Sequence, residues 1–187
     1  LKYSTAVKAY IATQIELDKA MEKLLSELEK AGKLNDTLIV IAPDHYPYGL
    51  TTKQMNEISN FDRSDKFEKF HTTLIMYNPT IEKTEVNKVI SSLDILPTIY
   101  NLYGLKFDSR LLIGRDIFSD NEHIVILSDR SWITDKGRYN AVTKEFISNG
   151  EDVSQEYIDE INIKVNQKFS MSSLILDNNY YKKLGIK

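Results

Sequence analysis

The residues of this sequence best suited to chemistry are Asp44 and His45, set side by side beyond the apolar run Thr37-Leu-Ile-Val-Ile-Ala42 and separated from it by Pro43. Such a run predicts a buried strand, and open α/β sheets keep their ligands beyond the carboxyl ends of their strands. A carboxylate supplies charge to a divalent cation and a neutral imidazole supplies a directional lone pair, so the pair reads as part of a metal site. Two ligands do not complete one. The plainer reading is an Asp that caps the following turn and a His that hydrogen-bonds to it.

Other residues have both a chemical and an ordinary reading. His71, at the mouth of a second apolar run, could be a ligand or touch substrate, although a histidine there is more often a hydrogen-bonded structural group. His123, beside Glu122, reads as solvated. Asp94 is placed to serve a helix amino terminus through its carboxylate. Arg110 and Arg115 could grip a phosphate in bidentate fashion or pin their loop by ion pairing. Trp132 and the eleven tyrosines read as core and surface aromatics, with no spacing that favours glycan stacking.

The elements that must position these residues follow from periodicity. Val7, Tyr10, Ile11, Ile15, Leu17, Met21, Leu24, Leu25 and Leu28 recur at helical spacing, and Ala31-Gly32 supplies the stop. After Asp44-His45 comes an aromatic turn, Tyr46-Pro47-Tyr48-Gly49-Leu50, and a polar stretch to about Lys69 of the kind that lies over a site. His71 to Tyr77 predicts a second strand, closed by Asn78-Pro79. An apolar patch at Val86 to Ile90 runs into Ser91-Ser92-Leu93-Asp94-Ile95-Leu96-Pro97-Thr98, a capped helix start that stops at Gly104. Ile124 to Leu127, Trp132, Tyr139 to Val142 and Phe146-Ile147 predict a meander with turns at Asp135-Lys136-Gly137 and Asn149-Gly150. From Ser154 to about Leu184 a helical pattern follows, with a break near Asp177-Asn178-Asn179.

Bulk properties narrow the classes. At 187 residues, 42% hydrophobic and 27% charged, the chain can bury a core. A net charge of −3 and the lack of any basic block give no reason to propose nucleic acid as a partner. With no cysteine, disulfides, thiolate zinc sites and cysteine nucleophiles are excluded, while the compartment stays open. No run is long enough to span a bilayer, so the segment is expected to be soluble. It opens on Leu1 and passes at once into a helix, as a piece of something longer would.

Five stretches in one order, Asn35 to His45, Leu74 to Pro79, Ser92 to Thr98, Asp108-Ser109-Arg110 and Gly114 to Phe118, resemble the carboxyl-terminal half of the sulfatase-like domain of lipoteichoic acid synthases and related phosphoglycerol transferases, in the alkaline phosphatase superfamily. The likeness runs from residue 5 to about 142. It implies an α/β fold with a mostly parallel sheet flanked by helices, here with a small antiparallel meander near the carboxyl end. Residues 1–150 would be the carboxyl-terminal part of the catalytic domain and 151–187 a helical tail, packed on it or leading to an extension.

The resemblance also implies a chemistry. Asp44 and His45 would bind a divalent metal, manganese or a similar cation, and Tyr46 would help line the substrate pocket; His71 stays a candidate substrate contact from its own position and not from the resemblance. The remaining ligands and the threonine nucleophile belong to the amino-terminal half of the domain, which would be this chain's partner, and no threonine here stands in the nucleophile's context. The substrate would be a lipid-linked phosphoglycerol of the phosphatidylglycerol type, met at the extracytoplasmic face of the membrane by the full-length protein. Sulfatase or phosphodiesterase hydrolysis, and a non-catalytic binding module with a vestigial Asp-His pair, are the alternatives. Pro43 replaces the Gly or Ser that relatives often carry before the pair, and the tail beyond Ser154 matches no motif.

Overall fold

The computed structural model describes residues 2–150 and 152–185. The chain divides into two compact units at Thr84/Glu85.

In the first unit, helix α1 spans Thr5–Lys30. Its end follows from hydrogen-bond bookkeeping: the N–H of Gly32 donates to Glu29 O at 2.9 Å and that of Lys33 to Leu28 O at 2.9 Å, closing two otherwise orphaned carbonyls. The closure needs Gly32 at φ +64°, a left-handed conformation that costs glycine nothing. Only Val7 of α1 is fully buried; it packs with Leu50 and Met55, while Ile15, Leu17 and Leu24 are exposed. Of the stripe predicted from spacing, Val7 is fully buried, Tyr10, Ile11, Met21, Leu25 and Leu28 are half-buried, and the exposed positions fall between them.

Strand β1, Ile39–Ile41, pairs antiparallel with β2, Ile75–Tyr77, in the register Ile39↔Tyr77, Val40↔Met76, Ile41↔Ile75. The side chain of Asn78 fastens the far end by donating to the carbonyls of Asn35 and Thr37 at 2.9 and 3.0 Å. Among the described residues every strand pairing is antiparallel, so the expected mostly parallel sheet is not what these pairings show. Apolar runs predict buried strands but carry no direction, and a parallel pair asks for a crossover helix. The connection from β1 to β2 carries only the five-residue helix α2, Thr52–Asn56, capped by Thr51, and a 3-10 turn at Glu68–Phe70. β2 begins at Ile75, four residues later than predicted, which leaves His71 in the loop before it.

The second unit is organised around Asp94. Its carboxylate accepts the backbone N–H of Ser91 at 2.8 Å and of Arg115 at 2.7 Å, so it caps the 3-10 turn Ser92–Asp94 ahead of helix α3, Ile95–Leu102, and fastens the Gly114-Arg115-Asp116 strap to it. Buried Thr98 repeats the link: its hydroxyl donates to Asp94 O at 2.6 Å and accepts the N–H of Ile117 at 3.0 Å. The strap lies so close that a Cβ on Gly114 would stand 1.9 Å from Leu93 O. The patch Val86–Ile90 forms no strand.

Strands β3 (Val125–Ile126), β4 (Trp132–Thr134), β5 (Gly137–Asn140) and β6 (Glu145–Ser148) make the predicted antiparallel meander, in that spatial order. Helix α4, Gln155–Asp177, capped by Ser154, packs Ile158, Ile161 and Val165 against fully buried Trp132. The indole meets Tyr139, Phe146 and Tyr157, and its N–H donates to Asn162 Oδ1 at 2.9 Å. The Tyr157 hydroxyl donates to Glu122 at 2.6 Å and lies 2.9 Å from Thr134 Oγ1; burial, helped by that carboxylate, pushes the phenol above its usual range. Asn179, at φ +52°, breaks the tail where predicted, and the short helix α5 follows at Tyr180–Lys183. His123 corrects a prediction. It is 8% exposed, not solvated, and neither ring nitrogen has a hydrogen-bond partner among the described residues. It borders a cavity of about 20 Å³ shared with Asp94, Arg115 and Lys168.

Two stability tests follow. Gly114→Ala should lower the thermal midpoint in a circular dichroism melt, whereas Gly49→Ala, with open space around its Cβ, should leave it nearly unchanged. Trp132→Ala should cost about 3–5 kcal/mol in denaturant unfolding, the range for deleting a large buried aromatic, and Asn162→Leu, which strands the indole N–H, about 1–3 kcal/mol.

Candidate metal centre

β1 stops pairing at Ile41, and Pro43 offers no N–H with which to continue the ladder. Asp44 and His45 therefore leave the sheet as free loop residues. The Asp44 side chain is 86% exposed and the His45 side chain 42%. Asp44 Oδ2 lies 3.4 Å from His45 Nε2.

The orientation of His45 can be worked out from its partners. Nδ1 sits 2.6 Å from the carbonyl oxygen of Tyr46, which can only accept, so Nδ1 carries the proton. In the neutral ring Nε2 is then a bare lone pair facing a carboxylate oxygen. Two electron-rich atoms at that separation are relieved by a proton or a cation between them. This is the arrangement commonly seen at metal-binding histidines, whose second nitrogen is held by a backbone carbonyl. The donor set thus fits a hard or borderline divalent cation with oxygen and nitrogen ligands. It supplies two ligands: among the described residues no group of three or more acidic, histidine or cysteine side chains comes together.

Tyr46 is half-buried, packing toward the Val7, Leu50 and Met55 cluster and setting its ring edge-on to Tyr48 at 4.9 Å and to Phe70 at 5.7 Å. The Lys69 ammonium lies 4.5 Å over its face. The tyrosine is therefore a packed aromatic whose backbone carbonyl meets His45. His71 does not join Asp44 and His45 in a ligand group. Its Nδ1 is 2.8 Å from Glu68 Oε2, its ring stacks on Phe61 at 4.4 Å, and its carbonyl accepts from Arg63. Those contacts are the structural ones that a histidine before a strand more often makes.

The arginines are divided in the same way. Arg110 grips Asp108 with Nη2 2.6 Å from Oδ2, and the hydrogen bond from this guanidinium lowers the Asp108 carboxyl to about 2. Arg115 enters the fold through its backbone N–H on Asp94. Sequence reasoning passed over Tyr48, whose ring stacks on the His45 imidazole with centroids 3.8 Å apart and planes 6° from parallel. The available signal was Pro47, which turns the chain between the two aromatics and whose carbonyl accepts the N–H of Leu50 at 3.1 Å.

The sulfatase family model matches residues 2–105, more than half of the chain. The chain is similar to the lipoteichoic acid synthase of Staphylococcus saprophyticus, 29% identical over 139 residues that cover 72% of this chain and 22% of that protein. Lipoteichoic acid synthases 1 and 2 of Bacillus subtilis are 27% and 22% identical over 91% and 98% of this chain, and 27% and 30% of their own lengths. The chain thus spans less than a third of the length of these relatives. No helix among the described residues is long and apolar enough to cross a membrane. With a family match over its first half and lipoteichoic acid synthases among its relatives, this chain belongs to the sulfatase family.

Proposed function

We propose that this chain supplies the carboxyl-terminal part of the catalytic domain of a metal-dependent phosphoglycerol transferase, in which Asp44 and His45 are two ligands of a divalent cation, manganese by the family's pattern. The observation that carries the reading is the exposed Asp44-His45 pair, with Nε2 3.4 Å from a carboxylate oxygen, Nδ1 held by the Tyr46 carbonyl, and no third ligand among the described residues. A site so built is half a site, completed by an acidic residue and a threonine from the amino-terminal half of the domain. Exposed apolar residues in the first unit, Ile15 and Leu17 on α1 and Ile75 and Tyr77 on β2, favour such a covering half. The full-length protein would work at the extracytoplasmic face of the membrane.

When bound, the cation lowers the pKa of a coordinated hydroxyl and neutralises charge on a phosphoryl oxygen. The residues of this chain have three tasks toward it. Asp44 contributes negative charge, His45 contributes a lone pair whose direction the Tyr46 carbonyl sets, and the Tyr46 ring narrows the approach. The substrate class is a phosphodiester of the phosphatidylglycerol type, from which glycerophosphate would pass to threonine and then to an acceptor hydroxyl while diacylglycerol leaves.

Calorimetry with manganese on the full-length protein tests the ligands: Asp44→Ala and His45→Ala should each weaken binding at least tenfold, and unchanged affinity in both would overturn the site. Diacylglycerol release from phosphatidylglycerol vesicles tests the reaction. The full-length protein should release it and lose the activity with chelator, whereas this chain alone should show no turnover. Free glycerophosphate in place of chain elongation would point to a hydrolase, and metal-independent inertness of the full-length protein to a binding module.

A further inference from the structure

The turn Tyr46-Pro47-Tyr48-Gly49-Leu50 does more than lead away from the Asp44-His45 pair. Leu50 is anchored in the core against Val7 and Met55, and its N–H closes the turn on Pro47 O. This closure carries Tyr48 back over His45, where the two rings lie 3.8 Å apart and within 6° of parallel. Tyr48 is 66% exposed, and its ring contacts are the face of His45 and the edge of Tyr46. A side chain held so far out in solvent contributes little to the core, so the ordering of its rotamer calls for a local reason.

An imidazole on a loop has two rotations to fix before its lone pair has a direction. The Tyr46 carbonyl on Nδ1 fixes which edge turns inward, but a single hydrogen bond leaves the ring free to swing about it. A parallel aromatic face at van der Waals distance removes that swing. We propose that Tyr48 is the positioning residue for His45: its ring holds the imidazole plane so that Nε2 stays on the side of Asp44. The inference rests on the reading of His45 as a metal ligand and deepens it. The stack also responds to the cation. A ligated imidazole becomes electron-poor, and an electron-rich phenol face attracts it more strongly than the neutral ring, so Tyr48 adds to affinity and not merely to order.

The test compares Tyr48→Phe, Tyr48→Leu and Tyr48→Ala with the parent. Manganese affinity of the full-length protein should be kept by Tyr48→Phe, which retains the aromatic face, and weakened about tenfold by Tyr48→Leu and Tyr48→Ala, the lower end of losses seen when the support of a metal-bound histidine is removed. In the metal-free chain, nitrogen-15 spectra of the His45 ring should show one dominant tautomer, protonated at Nδ1, in the parent and in Tyr48→Phe, and an averaged pair of tautomers in the other two. Parent-like affinity in Tyr48→Leu and Tyr48→Ala, with His45→Ala still impaired, overturns the positioning role alone. An unimpaired His45→Ala overturns the metal reading and this inference with it. Loss of affinity in Tyr48→Phe as well would assign the effect to the hydroxyl and overturn the stacking argument.

Discussion

Where backbone pairing stops decides where chemistry can begin in this chain. β1 spends the donors and acceptors of Ile39–Ile41 on β2, and Pro43, lacking an N–H, cannot extend the ladder. Had pairing continued three residues further, Asp44 would have been a strand residue with its backbone committed to a neighbour. Released instead, Asp44 and His45 present side chains to solvent at the end of a strand held rigid by Asn78 at its opposite end.

The second unit solves a different problem with one buried carboxylate. An isolated buried charge is costly, and Asp94 offsets the cost by accepting backbone N–H groups from two separate segments. The same bonds start α3 and hold the 114–117 strap. Gly114 is the steric condition for that arrangement, because any side chain there would collide with the backbone of Leu93. The meander and α4 close around Trp132, whose one polar atom is met by Asn162. Asp94 and Trp132 each meet a partner from another segment, Arg115 and Asn162, and those bonds tie the strap to α3 and the meander to α4.

Around the candidate metal centre the balance shifts from burial to orientation. Tyr46 packs on the α1 cluster, offers its carbonyl to His45 Nδ1 and meets Tyr48 edge-on, so it ties the loop beside the pair to the core. The His71 ring has Glu68 on Nδ1 and Phe61 on its face, and Arg110 is paired with Asp108. Groups with the right chemistry are not thereby available for it; availability depends on what else their polar atoms already satisfy.

Much of the local structure was legible in the sequence because it is encoded by neighbours: the stop at Gly32, the Ser91-Asp94 cap, the Asp135-Lys136 turn and the break at Asn179 all depend on φ preferences and side-chain reach within a few residues. The family resemblance was legible too, because five short stretches kept their order. Strand direction was not, since an apolar run reads the same whether its partner runs with it or against it. Nor was the burial of His123, next to Glu122 in sequence but enclosed by Asp94, Arg115 and Lys168 from distant segments. The sequence by itself determined which residues are candidates for metal chemistry and where the chain turns; only the tertiary structure decided that Tyr48 lies flat on His45 and that His71 meets Glu68 and Phe61. Residue type and turn propensity are local properties, whereas the pairing of faces and the satisfaction of polar atoms depend on segments far apart in the chain.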